Sequence, residues 1–445
     1  MLVAGRLNLE SSPSMAIHKF AHCIVVRLRC RAYSTGGHSR ETHSFAQNAN
    51  EWGTRSSLRI LREVMASEAV QIESMPSQTV AGKKVLPELS RGQVFLLVAS
   101  CYSFYLVVYS FLTNYWAEVT VSGDNEPYTQ ISSAIRHWDF SRLHPKLFWG
   151  LPYATAALSK ATGISDLKSL LLISVASSLI AIFIAYRLWG GWVAAFFAVV
   201  SREWMDRSLL GGAEPLFLAC VLGSFLAARR QRWLLASLLA SLATIVRPMG
   251  IFALVGIGVA LLAKRDFRQL IAAVLISSAI GFLYILPLKV YLGNPLANVK
   301  GYDQADWNGG IPLGIPLVAI TEDALAGRAT PLNLARTGLW IVVILGSAAL
   351  MLSKKSSREY LRKFPVEGVF YVLYVVFLFT YNSYWARSQF PRFAIPILPF
   401  VVLSLLPWIP KDRRVLWGFG LFSAALSAFE TVGFLNVLEI IKKAL

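Results

Sequence analysis

Two carboxylates stand close together in Gly123-Asp124-Asn125-Glu126-Pro127-Tyr128, just after an apolar run that ends near residue 116. A carboxylate beside a bound hydroxyl can take its proton as that oxygen attacks an electrophilic carbon. Asp124 is therefore a candidate general base, with Glu126 as its rival. The same polar stretch continues to His144-Pro145-Lys146. Further on, Glu214 opens an apolar run in Gly212-Ala213-Glu214-Pro215-Leu216, Arg247 stands in Val246-Arg247-Pro248-Met249-Gly250, and Arg387 and Arg392 lie on either side of Pro391. A guanidinium fork can grip two oxygens of a phosphate, and an ammonium can hold one as a point charge. Lys146, Arg247, Arg387 and Arg392 are thus candidates for an anionic phosphate, and His144 and Glu214 for further substrate contacts. Trp307, in a second long polar stretch, could stack on a sugar ring. Asp124 and Glu126 also offer two hard oxygen ligands that, with a phosphate, could hold magnesium or calcium, although no complete ligand set is visible.

Each assignment has a plainer competitor. Acids at a helix start stabilise it without doing chemistry, which would suffice for Asp124, Glu126 and Glu214. Arg247 and Arg392 could snorkel as membrane anchors, and Trp307 and the run from Tyr371 to Tyr384 could be interface belt and packing.

The elements that must position these groups follow from composition. The chain has 445 residues, of which 55% are hydrophobic and only 15% charged, and its mean hydropathy is +0.53. Soluble domains carry about a quarter charged residues, so the sequence predicts an all-α, polytopic membrane protein. Apolar runs predict about eleven spans, over 93–116, 167–187, 189–206, 213–229, 232–247, 248–263, 269–292, 335–353, 366–386, 393–409 and 414–438. The two short ones meeting at Arg247-Pro248 could form a broken hairpin. Under this count Lys83, Arg91, Arg229, Arg230, Lys264, Arg265, Lys354, Lys355, Arg358 and Lys411 fall on one face, which the positive-inside rule makes cytoplasmic. The formal charge of +18 then reflects topology, and no nucleic-acid partner is expected. Most acids of the membrane domain gather on the opposite face with two long loops, 117–166 and 293–334, and function is expected there. Residues 1–90 are polar and need not fold. Glu10 is the lone acid of the first forty residues, against Arg6, Lys19, Arg27, Arg29, Arg31 and Arg40, a bias that fits a transit peptide; a start at Met65 or Met75 is the alternative. The four cysteines, Cys23, Cys30, Cys101 and Cys220, form no disulfide framework or metal-ligand spacing.

The order of these motifs resembles the GT-C superfamily of membrane glycosyltransferases, which includes protein O-mannosyltransferases, aminoarabinose transferases and GPI mannosyltransferases. The resemblance runs over about 93–410. It rests on the paired acids after the first span, His144-Pro145-Lys146, Glu214-Pro215, Arg247-Pro248 and Pro391-Arg392-Phe393 with Pro396 and Pro399. One departure stands out. Asp124 precedes the proline by three, with Asn125 in the intervening position, while the interval of four from Asp124 to Tyr128 matches the family.

The resemblance implies a GT-C-like bundle over residues 91–440 whose first outer loop carries interfacial helices. It implies transfer of a sugar, mannose among the candidates, from a polyprenyl-phosphate donor to a hydroxyl of a lipid, glycan or protein acceptor. A leaving phosphate wants a cation more than a proton, so a single carboxylate suffices, and attack from the opposite face inverts the anomeric centre. The site would face outward from a plasma membrane or into the lumen of the endoplasmic reticulum. A ligase or a flippase for a lipid-linked sugar would use the same charges. Alternating access, however, calls for polar residues deep in the spans, and these are scarce.

Overall fold

The computed structural model describes residues 88–121, 124–140, 147–303, 314–317, 331–381 and 389–433. The expected N-terminal tail, apart from its last three residues, and His144, Lys146, Trp307 and Arg387 lie outside these.

The described chain is helical, and its helices start and stop where local chemistry dictates. α1 (Arg91–Leu112) opens on a capping box, in which the Ser90 hydroxyl accepts from the Gln93 amide and the Gln93 side chain accepts from the Ser90 amide. It is apolar on all sides. Leu97, Cys101 and Tyr105 are buried while Phe95, Val107 and Phe111 are exposed, as expected of a helix with protein on one side and lipid on the other. α2 (Tyr115–Val121), α3 (Asn125–His137) and α4 (Gly150–Thr162) are the short helices expected of the first long loop. They lead to α5 (Asp166–Trp189), capped by Ser165. After Gly190, with φ of +89°, come α6 (Gly191–Val199), α7 (Arg202–Leu209), α8 (Glu214–Arg229), α9 (Trp233–Val246), a 3-10 turn over Pro248–Gly250, and α10 (Ile251–Ala263). α11 (Phe267–Leu292) leads into the second long loop, whose first part forms α12 (Ala297–Asp303). The remainder is α13 (Pro331–Ser353), α14 (Lys355–Lys363), α15 (Pro365–Thr380), α16 (Phe390–Phe393), a turn over Ile395–Ile397, α17 (Leu398–Leu405) and α18 (Arg413–Val432).

Among the described residues, five segments are long and apolar enough to cross a membrane: Arg91–Leu112, Asp166–Trp189, Phe267–Leu292, Leu334–Ser353 and Arg413–Val432. They coincide with five expected spans. The expected spans at 213–229 and 366–386 are the straight limbs of two bent pairs, α7 with α8 at 104° and α14 with α15 at 112°. Those at 232–247, 248–263 and 393–409 are shorter apolar helices. The stretch 189–206 does not form one helix. Nine buried apolar residues end at Val199, and Ser201 then accepts from the Trp204 amide to start α7, whose Arg202, Glu203, Asp206 and Arg207 make it amphipathic. A turn of charged residues cannot continue an apolar core, so the helix stops and a separate one begins. α11 is only 6% buried, which leaves Ile271, Val274, Leu275, Phe282 and Leu283 outward. Such a girdle is stable only against hydrocarbon.

α8 packs between α5 and α9, α9 against α11, α10 against α15, and α1 against α18. Ion networks lock the two ends of this bundle. At one end Arg229 grips Glu367 through both carboxylate oxygens at 2.6 and 2.9 Å, donates to Leu188 O at 2.8 Å and to the Tyr360 hydroxyl at 2.9 Å, while Trp189 Nε1 donates to the same hydroxyl at 2.5 Å. At the other end Arg202 joins Asp206 and Glu430 at 3.1 and 3.0 Å, and Arg336 pairs with Glu430 and Glu203. Tyr105 donates to Asp206 at 2.6 Å. This second network fixes α7 to α1, α13 and α18, and so fixes the ground on which the candidate site stands.

Candidate active site

The site begins with a turn. Asp124 precedes α3 without capping it: its side chain makes no hydrogen bond to the helix start. That removes the plain capping explanation and leaves the carboxylate to reach elsewhere. Asn125 does the anchoring, donating to Val119 O at 2.8 Å and to Leu210 O at 2.5 Å from a fully buried position. The departure noted in the sequence thus has a structural role, because an amide with two donors ties the loop after α2 to the end of α7. Close approach of Asn125 requires Gly211, whose φ is +96° and whose added Cβ would lie 2.6 Å from Asn125 Oδ1. Ser174 secures the neighbouring Gly212 by bonds to its carbonyl and amide at 3.1 and 3.2 Å.

Arg392 then joins the two acids. From the short α16 it donates Nη2 to Asp124 Oδ2 at 2.6 Å, Nη1 to Gln389 Oε1 at 2.7 Å, and Nε to Glu214 Oε1. Arg247, at the break between α9 and the 3-10 turn, donates to that same Glu214 oxygen at 2.5 Å. Arg392 is 8% exposed and Glu214 1%, so Arg392 is no snorkelling anchor and Glu214 no solvated cap. Pro391 at the start of α16 and Pro248 after Arg247 impose the breaks that turn these two arginines inward.

Electrostatics set the charge states. Burial alone would push the Asp124 carboxyl up, but the guanidinium of Arg392, with Arg207 behind it, outweighs burial and holds the carboxyl below its ordinary value. Burial would loosen the Arg392 proton, and Glu214 and Asp124 reverse that, leaving a permanent cation. Tyr128, one turn beyond Asp124, is buried and pushed up by burial and by Asp124, so its hydroxyl stays neutral.

Arg207 completes the cluster. It lies within Coulombic reach of Arg392, Glu214, Asp124 and Asp206, half-buried, with its stem against Gly212, where an added Cβ would sit 2.7 Å from Arg207 Cδ and 2.8 Å from Glu214 Oε2. No ion pair within the described residues engages its guanidinium. Asp206 is already paired with Arg202 at 3.1 Å, so three guanidiniums (Arg207, Arg247, Arg392) face the two carboxylates Asp124 and Glu214, leaving one positive charge in local surplus. Glu214 Oε2, Arg247 Nε and Asn125 Oδ1 are buried with no hydrogen-bond partner. Orphaned polar atoms cost about 1–3 kcal/mol each, and their gathering here suits a polar ligand.

The structure thus brings together Asp124, Glu214, Arg247 and Arg392 from four distant stretches. Glu126 stands apart, exposed and accepting from Gln130 at 3.1 Å. Asp124 and Glu126 do not converge on a common point, and the described residues contain no group of three or more His, Cys, Asp or Glu that could hold a metal ion. Sequence spacing singles out neither Arg207, which reads as one charge among several at a helix end, nor the anchoring role of Asn125.

No family model matches the chain, and no curated protein matches it. Among solved structures it is similar to ArnT from Cupriavidus metallidurans bound to undecaprenyl phosphate, with 17% identity and a TM-score of 0.48 over 76% of this chain. It is also similar to the apo state of that protein, with 18% identity and a TM-score of 0.43 over 74% of this chain. The chain spans 64% and 61% of those two structures' own length. With its lipid-facing girdle and its apolar spans, the chain is an integral membrane protein.

Proposed function

We propose that the chain is an inverting GT-C-type glycosyltransferase that moves a sugar, with mannose the first to try, from a polyprenyl-phosphate donor to a hydroxyl acceptor. The observation that carries this reading is the buried cluster of Asp124, Arg392, Glu214, Arg247 and Arg207 at one end of the bundle. It combines a base with a surplus positive charge, as an anionic donor requires, on the motifs that resemble the superfamily.

In this reading Asp124 receives the acceptor's proton on the oxygen not bound by Arg392, while the acceptor oxygen bonds to the anomeric carbon. The bond from that carbon to the phosphate oxygen breaks with its electrons on the phosphate. Asp124 is a weak base in the ground state, and the hydroxyl becomes acidic only as the new bond forms, so the proton moves late. Arg392 and Arg247 are already neutralised by carboxylates, and Arg207 is the group left to meet the growing charge on the leaving phosphate. Arg392 holds Asp124 ionised and aimed. The surplus of guanidiniums around Asp124 repels a divalent cation, and Glu126 does not share its site.

The acid-bearing end faces outward or into a lumen, opposite the end rich in unpaired basic residues. The test is transfer by the purified chain from a radiolabelled polyprenyl-phosphate sugar, with a nucleotide sugar in parallel. Label should move from the lipid donor alone; movement from the nucleotide sugar alone would overturn the proposal.

A further inference from the structure

At the opposite end of the bundle from the cluster, α14 leaves the direction of the spans. It meets α15 at 112°, so it runs across the end of the bundle. One face is bolted down. Tyr360 is its buried residue, and the Tyr360 hydroxyl is held by Trp189, Arg229 and Glu367. The other face exposes Lys355, Arg358, Arg362 and Lys363, with Glu359 the one acid among them. Lys411 in the turn before α18 and Arg413 and Arg414 in the first turn of α18 are exposed as well. The two segments touch, since Lys354 Nζ sits 3.5 Å over the ring of Trp408. Asp412, the remaining acid, is engaged as the cap of α18 through the Arg414 amide at 2.7 Å.

None of these seven exposed cations is ion-paired within the described residues. They lie where the apolar helices α13, α15 and α18 begin or end, which is the level of the lipid headgroups. Trp408 at 55% exposure and Leu352 at 53% lie beside them and supply the apolar flank that an interface-level helix needs. Clustered like charges repel one another, and Glu359 and Asp412 offset only part of the charge of seven cations. A layer of anionic headgroups would offset the rest.

We propose that α14 and the 408–414 segment form a platform that binds anionic phospholipid headgroups of the adjacent leaflet. The platform holds the α14–α15 elbow against the membrane surface. It is independent of the transferase reading, because it lies at the other end of the molecule and involves none of the proposed site residues.

The test uses the purified full chain reconstituted in phosphatidylcholine vesicles with either spin-labelled phosphatidylglycerol or spin-labelled phosphatidylcholine, read by the motionally restricted fraction of the label. The unaltered chain should favour the anionic lipid by about fivefold or more, the factor for one cation at a charged surface. A variant with Lys355→Gln, Arg358→Gln, Arg362→Gln and Lys363→Gln should lose most of that preference. A control with Arg232→Gln, Lys264→Gln, Arg265→Gln and Arg268→Gln, at the helix ends and turns of the same end, should keep it. Should the first variant fold poorly, raising the salt concentration on the unaltered chain should remove the preference instead, since the contact is electrostatic. The proposal is overturned by equal association of the two lipids with the unaltered chain, by a preference that survives high salt, or by an equal loss in the control. The last result would assign the effect to diffuse surface charge or to an acidic protein partner of that face.

Discussion

Arg392→Ala removes the one side chain that touches both acids of the cluster. Breaking a buried ion pair by deleting one partner costs about 3–5 kcal/mol. Here the cost should fall near the lower limit, about 3 kcal/mol, because Glu214 keeps Arg247 at 2.5 Å and the Asp124 side chain is 31% exposed. The kinetic effect is of similar size and carries a sign. In the unaltered protein Asp124 is held below its ordinary value, so it is ionised through the neutral range, and the acid limb of kcat/KM should lie below the usual carboxylate range. Without Arg392 the burial that pushes Asp124 up remains while its main counterweight is gone, so the acid limb should move to higher pH. Stability follows the same logic. A depressed carboxyl contributes stability above its unfolded value and loses it as pH falls through the folded one; a raised carboxyl does the reverse. The stability deficit of Arg392→Ala relative to the unaltered chain should therefore shrink as pH is lowered. Turnover at neutral pH should drop about a hundredfold through lost aim. The assay is transfer across a pH series, with thermal unfolding in detergent beside it. An unchanged acid limb would refute the account of Asp124 electrostatics, even if activity fell.

Arg207→Gln should weaken use of the donor by roughly ten- to a hundredfold, the equivalent of about 1.5–3 kcal/mol for a charge-assisted contact, mainly in KM for the lipid donor; an unaltered donor KM would place the phosphate elsewhere. Asn125→Ala should lower melting by removing the bonds to Val119 and Leu210, a cost of about 1–3 kcal/mol, and should lower kcat while leaving the acid limb in place. Topology can be read by thiol labelling. Gln130→Cys should react with an impermeant reagent from the outer or luminal side of sealed membranes, and Ser356→Cys only after permeabilisation; the reverse pattern would put the acids in the cytoplasm.

Much of the fold could be read from hydropathy, because a span announces itself by length and apolarity alone. The expected 167–187, 269–292 and 335–353 lie almost wholly within helices of the structure. What could not be read was the helix break after Val199. Its nine apolar residues and those of the next turn look like a single run, and only tertiary packing shows that Arg202 and Asp206 are paired with Glu430 and Tyr105. Part of the site was legible for a similar reason. Asp124, Glu214, Arg247 and Arg392 each sit at a helix end beside or close to a proline or glycine, and such breaks leave a marked pattern. That these residues meet was not legible, since Asp124 and Arg392 are held together by packing between helices from opposite ends of the chain. Arg207 lay hidden because its importance comes from which other arginines are already neutralised, a fact of three-dimensional pairing. Spacing favoured Asp124 over Glu126 only through its interval of four to Tyr128, which left Glu126 as a rival. The turn of α3 decides their environments, setting one acid against Arg392 and leaving the other beside Gln130.

The central claim is that Asp124 is the base for an inverting transfer from a polyprenyl-phosphate sugar. It is tested most directly by assaying the purified chain, Asp124→Asn and Glu126→Gln with the same radiolabelled donor, and by determining the anomeric configuration of the product. The account predicts a loss of about 10²- to 10⁴-fold for Asp124→Asn, near-full activity for Glu126→Gln, and a product inverted at the anomeric carbon. Full turnover by Asp124→Asn, or a product that retains the donor's configuration, would contradict it.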